Sequence, residues 1–286
     1  MQENKSPMAT FSDIASRYRE TSLVQASAGT ILINLLEIPD TADILDVGCG
    51  TGNLTAELAK LTTGNVTGID PFEAMISEAS KAYPDPRIRF LVMDATSMPF
   101  EEEFDRIYCN SAFQWFRNPS LFLEQAKKAL RTNGKIGLQA PAKTNYCPVF
   151  LEAINDSCRN SVIRKVFAGF RSPWFMLETS EAYSSLFRDA GFHVTHCSIE
   201  ETRNRYSTAK VFDIFSSGAK AGYLNPACYD SPFPEGFETT FLAEIERSFA
   251  SQADGEGWID LAFYRIFLIA SPEFHGRKTI HQESLR

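Results

Sequence analysis

The chain has 286 residues, 44% hydrophobic and 22% charged, which is material for one large domain or for a core domain with an appended subdomain. A net charge of −8 argues against a broad nucleic-acid surface, because neutralising phosphates takes clustered Lys and Arg. No apolar run approaches bilayer-spanning length, and the six cysteines (49, 109, 147, 158, 197, 228) show neither C-x-x-C nor metal-ligand spacing with histidine, so reduced thiols and no metal are expected.

Met1 to Ser6 lack the charged-then-apolar layout of a signal peptide, so a cytoplasmic protein is expected. From Phe11 to Leu36 the apolar spacing (Ile14, Tyr18, Leu23, Val24, Ile31, Leu32, Leu35, Leu36) is helical, with a break expected at Gly29. Ile44 to Val47 reads as a short buried strand. It runs into Gly48-Cys49-Gly50-Thr51-Gly52-Asn53 and then a helical stripe of Leu54, Leu58 and Leu61. Glycines at alternate positions permit a tight strand-to-helix turn and let a ligand press on bare backbone, so amide N–H groups and a helix N-terminus should face something nucleoside-like. The dinucleotide pattern G-x-G-x-x-G would need its third glycine at position 53, where Asn53 stands. A dinucleotide oxidoreductase is thereby disfavoured, as is a glycine-rich turn without a ligand.

A second unit follows, Val66 to Asp70, with Pro71 in the first turn of the next helix. Ile88 to Val92 forms a third strand, ending in Met93-Asp94-Ala95, and Phe104 to Cys109 a fourth, ending in Asn110-Ser111. Asn118-Pro119 starts a helix with Phe122, Leu123, Ala126 and Leu130 on one stripe, stopped by Asn133-Gly134, and Lys135 to Ala140 is a fifth strand. Strands alternating with helices imply right-handed crossovers and a parallel, doubly wound sheet that binds its ligand at the strand C-terminal ends. Beyond Pro141 the rhythm changes. Residues 142–178 are helix and loop, Ser180 to Ala190 is a helix, Phe192 to Ile199 a strand, 207–250 helical, and Ile259 to Ala270 a final strand. The chain divides into a helical cap (1–40), a Rossmann-like core (41–141), cap insertions with a sixth strand near 192–199 (142–258), a closing strand (259–272) and a polar tail (273–286).

Asp46 with its three glycines resembles motif I (D-x-G-C-G-T-G) of the class I S-adenosylmethionine-dependent methyltransferases. That resemblance implies a seven-stranded Rossmann-like α/β sheet, six strands parallel and the last antiparallel, with helical cap segments. It implies S-adenosylmethionine as cofactor, leaving as S-adenosylhomocysteine. Asp46, Gly48, Cys49, Gly50, Gly52 and Asn53 would seat the cofactor, and Asp70 would accept its ribose hydroxyls. Pro71, Phe72 and Met75 would flank the adenosine, Asp94 and the Ala95 N–H would meet the adenine, and Asn110 would face the methyl.

On the acceptor side, Asn110-Ser111-Ala112-Phe113-Gln114-Trp115 resembles the carboxyl O-methyltransferase branch: trans-aconitate, malonyl-carrier-protein and juvenile-hormone-acid methyltransferases. Leu138-Gln139-Ala140-Pro141 with Asn145, and the run Tyr264 to Ala270, are similar to the trans-aconitate type. Tyr18, Gln25 and Arg171-Ser172-Pro173-Trp174 resemble the others. The expected positioning residues are Tyr18, Asn110, Trp115, Tyr146 and Arg171, with Arg17, Lys143, Arg203, Arg205 and Arg265 as further candidate cations. A carboxylate is already ionised at pH 7, so no general base is required, and the histidines (193, 196, 275, 281) all fall late in the chain. Arsenite methylation, which six cysteines invite, is disfavoured because no Cys precedes motif I. The expected reaction is O-methylation of a small organic acid or an acyl carrier protein. The alternatives are O-, N- or C-methylation of another metabolite, or a binding module without turnover. A monomer or homodimer without nucleic-acid or membrane partners is expected.

Overall fold

The computed structural model describes residues 23–273. Tyr18, Arg17 and the lead-in expected before residue 23 lie outside the described residues. In chain order the elements begin with α1 (Leu23–Leu36), β1 (Ile44–Val47), α2 (Asn53–Leu61), β2 (Val66–Asp70), α3 (Glu73–Ala82), β3 (Ile88–Val92) and β4 (Phe104–Asn110). Then come α4 (Pro119–Ala129), β5 (Leu130–Pro141), α5 (Pro148–Ser157), α6 (Ser161–Phe167), α7 (Ser180–Asp189) and β6 (Phe192–Ser207). The last are α8 (Thr208–Ser217), α9 (Ala219–Tyr223), α10 (Phe237–Gln252) and β7 (Trp258–Pro272). The seven strands form one sheet in the order β3-β2-β1-β4-β5-β7-β6. Strands β1 to β5 pair in parallel, and β7 runs antiparallel to both β5 and β6, so six strands share one direction. This is the Rossmann-like α/β arrangement expected from the sequence.

Alternation along the strands sorts their side chains into two sheet cores. Ile44, Tyr108, Phe267 and Ile269 meet Leu32 and Leu36 of α1 on one face. Leu45, Val47, Ile107 and Cys109 meet Phe122, Leu123 and Phe187 on the other. A third, aromatic core lies in the cap, where Phe150, Phe215, Phe241 and Phe249 pack against Ile259, Leu261 and Phe263. Strand β7 therefore passes from the cap core into the sheet, and Arg265 stands at the changeover.

Four sequence-based expectations are corrected. Helix α1 continues unbroken through Gly29, because that residue is a close-approach site: a Cβ there would sit 2.6 Å from the Tyr108 hydroxyl. Pro71 and Phe72 precede α3, which starts at Glu73; Asp70 accepts from the Phe72 N–H and holds the chain extended there. Helix α4 ends at Ala129, and the chain enters β5 at Leu130, so Asn133-Gly134 falls inside the strand. Strand β6 runs past Ile199 to Ser207. Its polar residues hide the pattern because an edge strand pairs on one side only and faces water on the other.

Candidate active site

The turn after β1 is bent by positive φ at Gly48 (73°), Gly50 (54°) and Gly52 (81°). At Gly48 a Cβ would also lie 2.4 Å from the Ala112 Cβ, so glycine is needed for both conformation and space. Four of the turn's amides are spent within the protein, while Thr51 and Asn53 line the cavity. Gly48 and Cys49 N–H both donate to the Ile69 carbonyl (2.8 and 3.0 Å), Gly52 N–H to the Cys49 carbonyl (3.0 Å) and Gly50 N–H to Asp70 Oδ2 (3.1 Å). The hinge is thus braced against β2 and fixes the Asp70 carboxylate, whose Oδ1 accepts from Phe72 N–H at 3.0 Å.

Asp46 is buried beside it and accepts from the Thr55 hydroxyl at 2.6 Å. Burial raises Asp46 to about 7, with the Asp70 charge adding to the shift, and raises Asp70 to about 6 against the lowering effect of its two backbone donors. The Cys49 thiol is pushed well up by burial, which keeps it protonated. Asp94 is exposed and caps the short turn that follows it, accepting from the Thr96 N–H and hydroxyl at 2.8 and 2.7 Å. Asn53 opens α2 and accepts from the Tyr83 hydroxyl at 2.9 Å.

A cavity of about 570 Å³ opens over the C-terminal ends of the parallel strands. Of the expected cofactor residues, Asp46, Gly48, Cys49, Gly50, Asn53, Asp70, Pro71, Met75, Asp94, Ala95 and Asn110 line it; Gly52 does not. On the acceptor side Trp115 and Tyr146 line it. Arg171 does not belong here: it is exposed, pairs with Asp230 and lies away from the lining, held by the backbone of the loop after α6. Lys143 sits over the Tyr264 ring at 4.5 Å, Arg203 pairs with Glu201 and Arg205 with Asp254, all away from the cavity. The expected aromatic plug divides in two. Phe113 is fully buried among Phe122, Phe175 and Phe187, whereas Phe116 reaches the cavity wall.

Of those candidate cations that fall among the described residues, Arg265 alone lines the cavity. It is 3% exposed, has no ion pair among the described residues, and its Nε–H has no hydrogen-bond partner. Burial lowers its pKa to about 10, so it remains protonated at neutral pH. Its guanidinium lies 4.8 Å from the Phe263 ring centroid, and Nη1 donates to the Gln139 carbonyl oxygen at 3.0 Å. That bond fixes the orientation of the fully buried Gln139 amide: Nε2 donates to Asn110 Oδ1 at 2.7 Å and to Ser111 Oγ at 3.0 Å. The opposite orientation would set oxygen against oxygen at Asn110. One amide on β5 thereby ties Asn110 on β4 to Arg265 on β7.

Gln139, Gln114 and Tyr108 were not singled out as site residues from the sequence. The Gln114 Oε1 and Tyr108 hydroxyl are buried in the cavity lining without partners. The available signal was a polar side chain inside a strand that is apolar all round: Gln139 between Leu138 and Ala140, and Arg265 just before Ile266. Among the described residues no cluster of three or more His, Cys, Asp or Glu is set to hold a metal, and no helix is long and apolar enough to cross a membrane.

The family profile described as a methyltransferase domain matches residues 45–138, which carry the hinge, Asp70, Asp94 and Asn110. The chain is 34% identical over 111 residues to a trans-aconitate 2-methyltransferase of Enterobacter sp. (strain 638), covering 38% of this chain and 43% of that protein. It is 29% identical over 127 residues to a malonyl-[acyl-carrier protein] O-methyltransferase of Acetivibrio thermocellus, covering 43% and 45%. Each of these alignments spans less than half of the relative's own length. The fold matches that of a Haemonchus contortus phosphoethanolamine N-methyltransferase solved with S-adenosylhomocysteine (TM-score 0.53, 15% identity, 86% of this chain and 53% of that one). The residues present fit such a cofactor. Asp46, Asp70 and Asp94 suit a cationic nucleoside, and the buried Tyr108 hydroxyl and Gln114 Oε1 are polar atoms still lacking a partner. With its hinge, its sheet order and its matched residues 45–138, the chain carries a methyltransferase domain of the class I S-adenosylmethionine-dependent type.

Proposed function

We propose that this protein transfers the methyl group of S-adenosylmethionine to the carboxylate of a small organic acid or an acyl carrier. The observation that carries the acceptor assignment is Arg265: a buried, protonated guanidinium that faces the cavity with an unused Nε–H and no acidic partner among the described residues. A buried charge without a counter-ion is costly, and a substrate carboxylate supplies the missing one. Asp70 would accept the ribose hydroxyls, and Asp94 with the Ala95 N–H would meet the adenine. Met75 and Phe72 would flank the nucleoside while Asn110 faces the reacting end.

When bound, S-adenosylmethionine supplies an electrophilic methyl on a positively charged sulfur. A carboxylate oxygen forms the new C–O bond as the methyl–sulfur bond breaks, and the electron pair stays on sulfur. Positive and negative charges cancel, no proton moves, and no general base is called for. The work left to the chain is positional and electrostatic. Arg265 holds the acid, the Gln139 amide keeps Arg265 and Asn110 in one frame, and the cap aromatics exclude water. Loss of the acid's charge on esterification removes the ion pair to Arg265 and favours release. The cavity is open rather than filled by the chain's own side chains, which supports turnover over a purely binding role.

The test is calorimetry with S-adenosylmethionine and S-adenosylhomocysteine, followed by a turnover screen over carboxylic acids and malonyl thioesters. Methyl esters, identified by mass and by lability in alkali, are expected. Methylation confined to phenols or amines would overturn the acceptor assignment and leave the cofactor assignment in place.

A further inference from the structure

Resting on that reading, we infer that the acceptor is a one-headed acid: a single carboxylate, held by Arg265, on an apolar aryl or alkyl body. The charge inventory of the cavity comes first. Its lining carries Asp46, Asp70 and Asp94 at the ends of β1, β2 and β3, the exposed Arg117, and the buried Arg265. The three acids lie on the cofactor side. The acceptor side therefore offers one buried cation among the described residues, with an unfilled donor direction at Nε and, in the same lining, the unpartnered Tyr146 hydroxyl. Away from the solvent-exposed Arg117, a second or third carboxylate on the same substrate would be buried without a counter-charge, or pushed towards Asp46 and Asp70, and either placement is unfavourable.

The wall chemistry points the same way. Phe263 lies against Arg265, and the same cavity is faced by Trp115, Phe116, Tyr146, Phe150 and Trp174. Trp115 and Trp174 meet edge to face at 5.8 Å between centroids, and Tyr146 lies 6.1 Å from Trp174. These rings are fixed from behind: Trp174 closes so tightly on α9 that a Cβ on Gly222 would come within 2.1 Å of it. A rigid aromatic wall favours flat or aliphatic carbon and offers few partners to hydroxyls or extra carboxylates. This departs from what the names of the relatives suggest, since trans-aconitate carries three carboxylates and a malonyl thioester carries a polar carrier arm. Two trans-aconitate 2-methyltransferases align over 79% and 89% of this chain, but at 26% identity, which leaves the wall residues free to differ.

The experiment uses the full chain with S-adenosylmethionine and five acceptors: 3-phenylpropenoate, octanoate, trans-aconitate, citrate and a short malonyl thioester. Binding of the same acids to Trp258→Phe protein saturated with S-adenosylhomocysteine is followed in parallel by tryptophan fluorescence, which then reports Trp115 and Trp174 alone. The expected result is kcat/KM at least tenfold higher for 3-phenylpropenoate or octanoate than for trans-aconitate, citrate or the thioester. Saturable quenching by the apolar acids should accompany it and be lost in Arg265→Gln. A preference for the polycarboxylates or the thioester, or equal rates across the panel, overturns the one-headed acid and leaves carboxyl methylation standing. If all five are inert while phenols or amines are methylated, the carboxylate reading itself falls, and this inference with it.

Discussion

At the scale of single residues, the proposed function gives Asp70 to the cofactor and Arg265 to the acceptor. Asp70 is held by Gly50 and Phe72 amides with its carboxylate towards the cavity. Asp70→Ala should weaken S-adenosylmethionine binding by about 1–3 kcal/mol, because hydrogen bonds to an ionised group are lost; unchanged affinity by calorimetry would contradict the ribose role. Arg265→Met should do the reverse. Cofactor affinity should stay the same while kcat/KM for acids falls about 10–100-fold, the worth of a charge-assisted contact of roughly 1.5–3 kcal/mol. Gln139→Glu separates the two ends. A carboxylate there would pair with Arg265 in place of the substrate, so KM for acids should rise while the cofactor still binds. The first of these residues was readable from the sequence because a short motif fixes its place. Arg265 was one of six candidate cations, and only burial and the β7–Gln139 contact set it apart, since a linear pattern does not show which charged side chains fold inward.

Among the elements, the strands and helices of residues 41–141 were readable because their apolar periods alternate cleanly between 2 and 3.6. The misses share a cause: tertiary contact overrode a local signal. Glycine at position 29 looked like a break, yet it lets α1 pack onto the Tyr108 hydroxyl. Gly29→Ala should therefore destabilise through overpacking, by about 1–3 kcal/mol, despite alanine's better helix propensity. Thermal unfolding measures it, and a raised midpoint would refute the close-approach account. The outer half of β6 was missed because its polar residues face water, while pairing with β7 as far as Trp258 holds it extended. That extension lets β7 reach from the sheet into the cap and places Arg265 where the cores meet.

For the whole molecule, the buried acids at the hinge couple fold, ligand and pH. Asp46 at about 7 and Asp70 at about 6 hold protons in the folded chain over a range where an unfolded chain, with carboxylates near ~4, has released them. The stability they contribute is present in full below that lower value and is lost as pH climbs through 6 and 7. Asp46→Asn removes the titration, so the wild-type midpoint should fall relative to this variant between pH 5 and pH 8 in the absence of cofactor. A constant difference across that range would show that the carboxyl does not titrate there. Cofactor affinity should rise over the same interval, because an ionised Asp70 accepts hydroxyl donors better than a protonated one.

The most direct measurement of the central claim follows methyl label from S-adenosylmethionine into carboxylic acids with wild-type protein and with Arg265→Met, alongside cofactor calorimetry on both. Alkali-labile labelled esters should form with the wild type and fall about 10–100-fold in the variant, at matched cofactor affinity. Equal ester formation by the two proteins, or label appearing only on nitrogen or phenolic oxygen, would contradict the account.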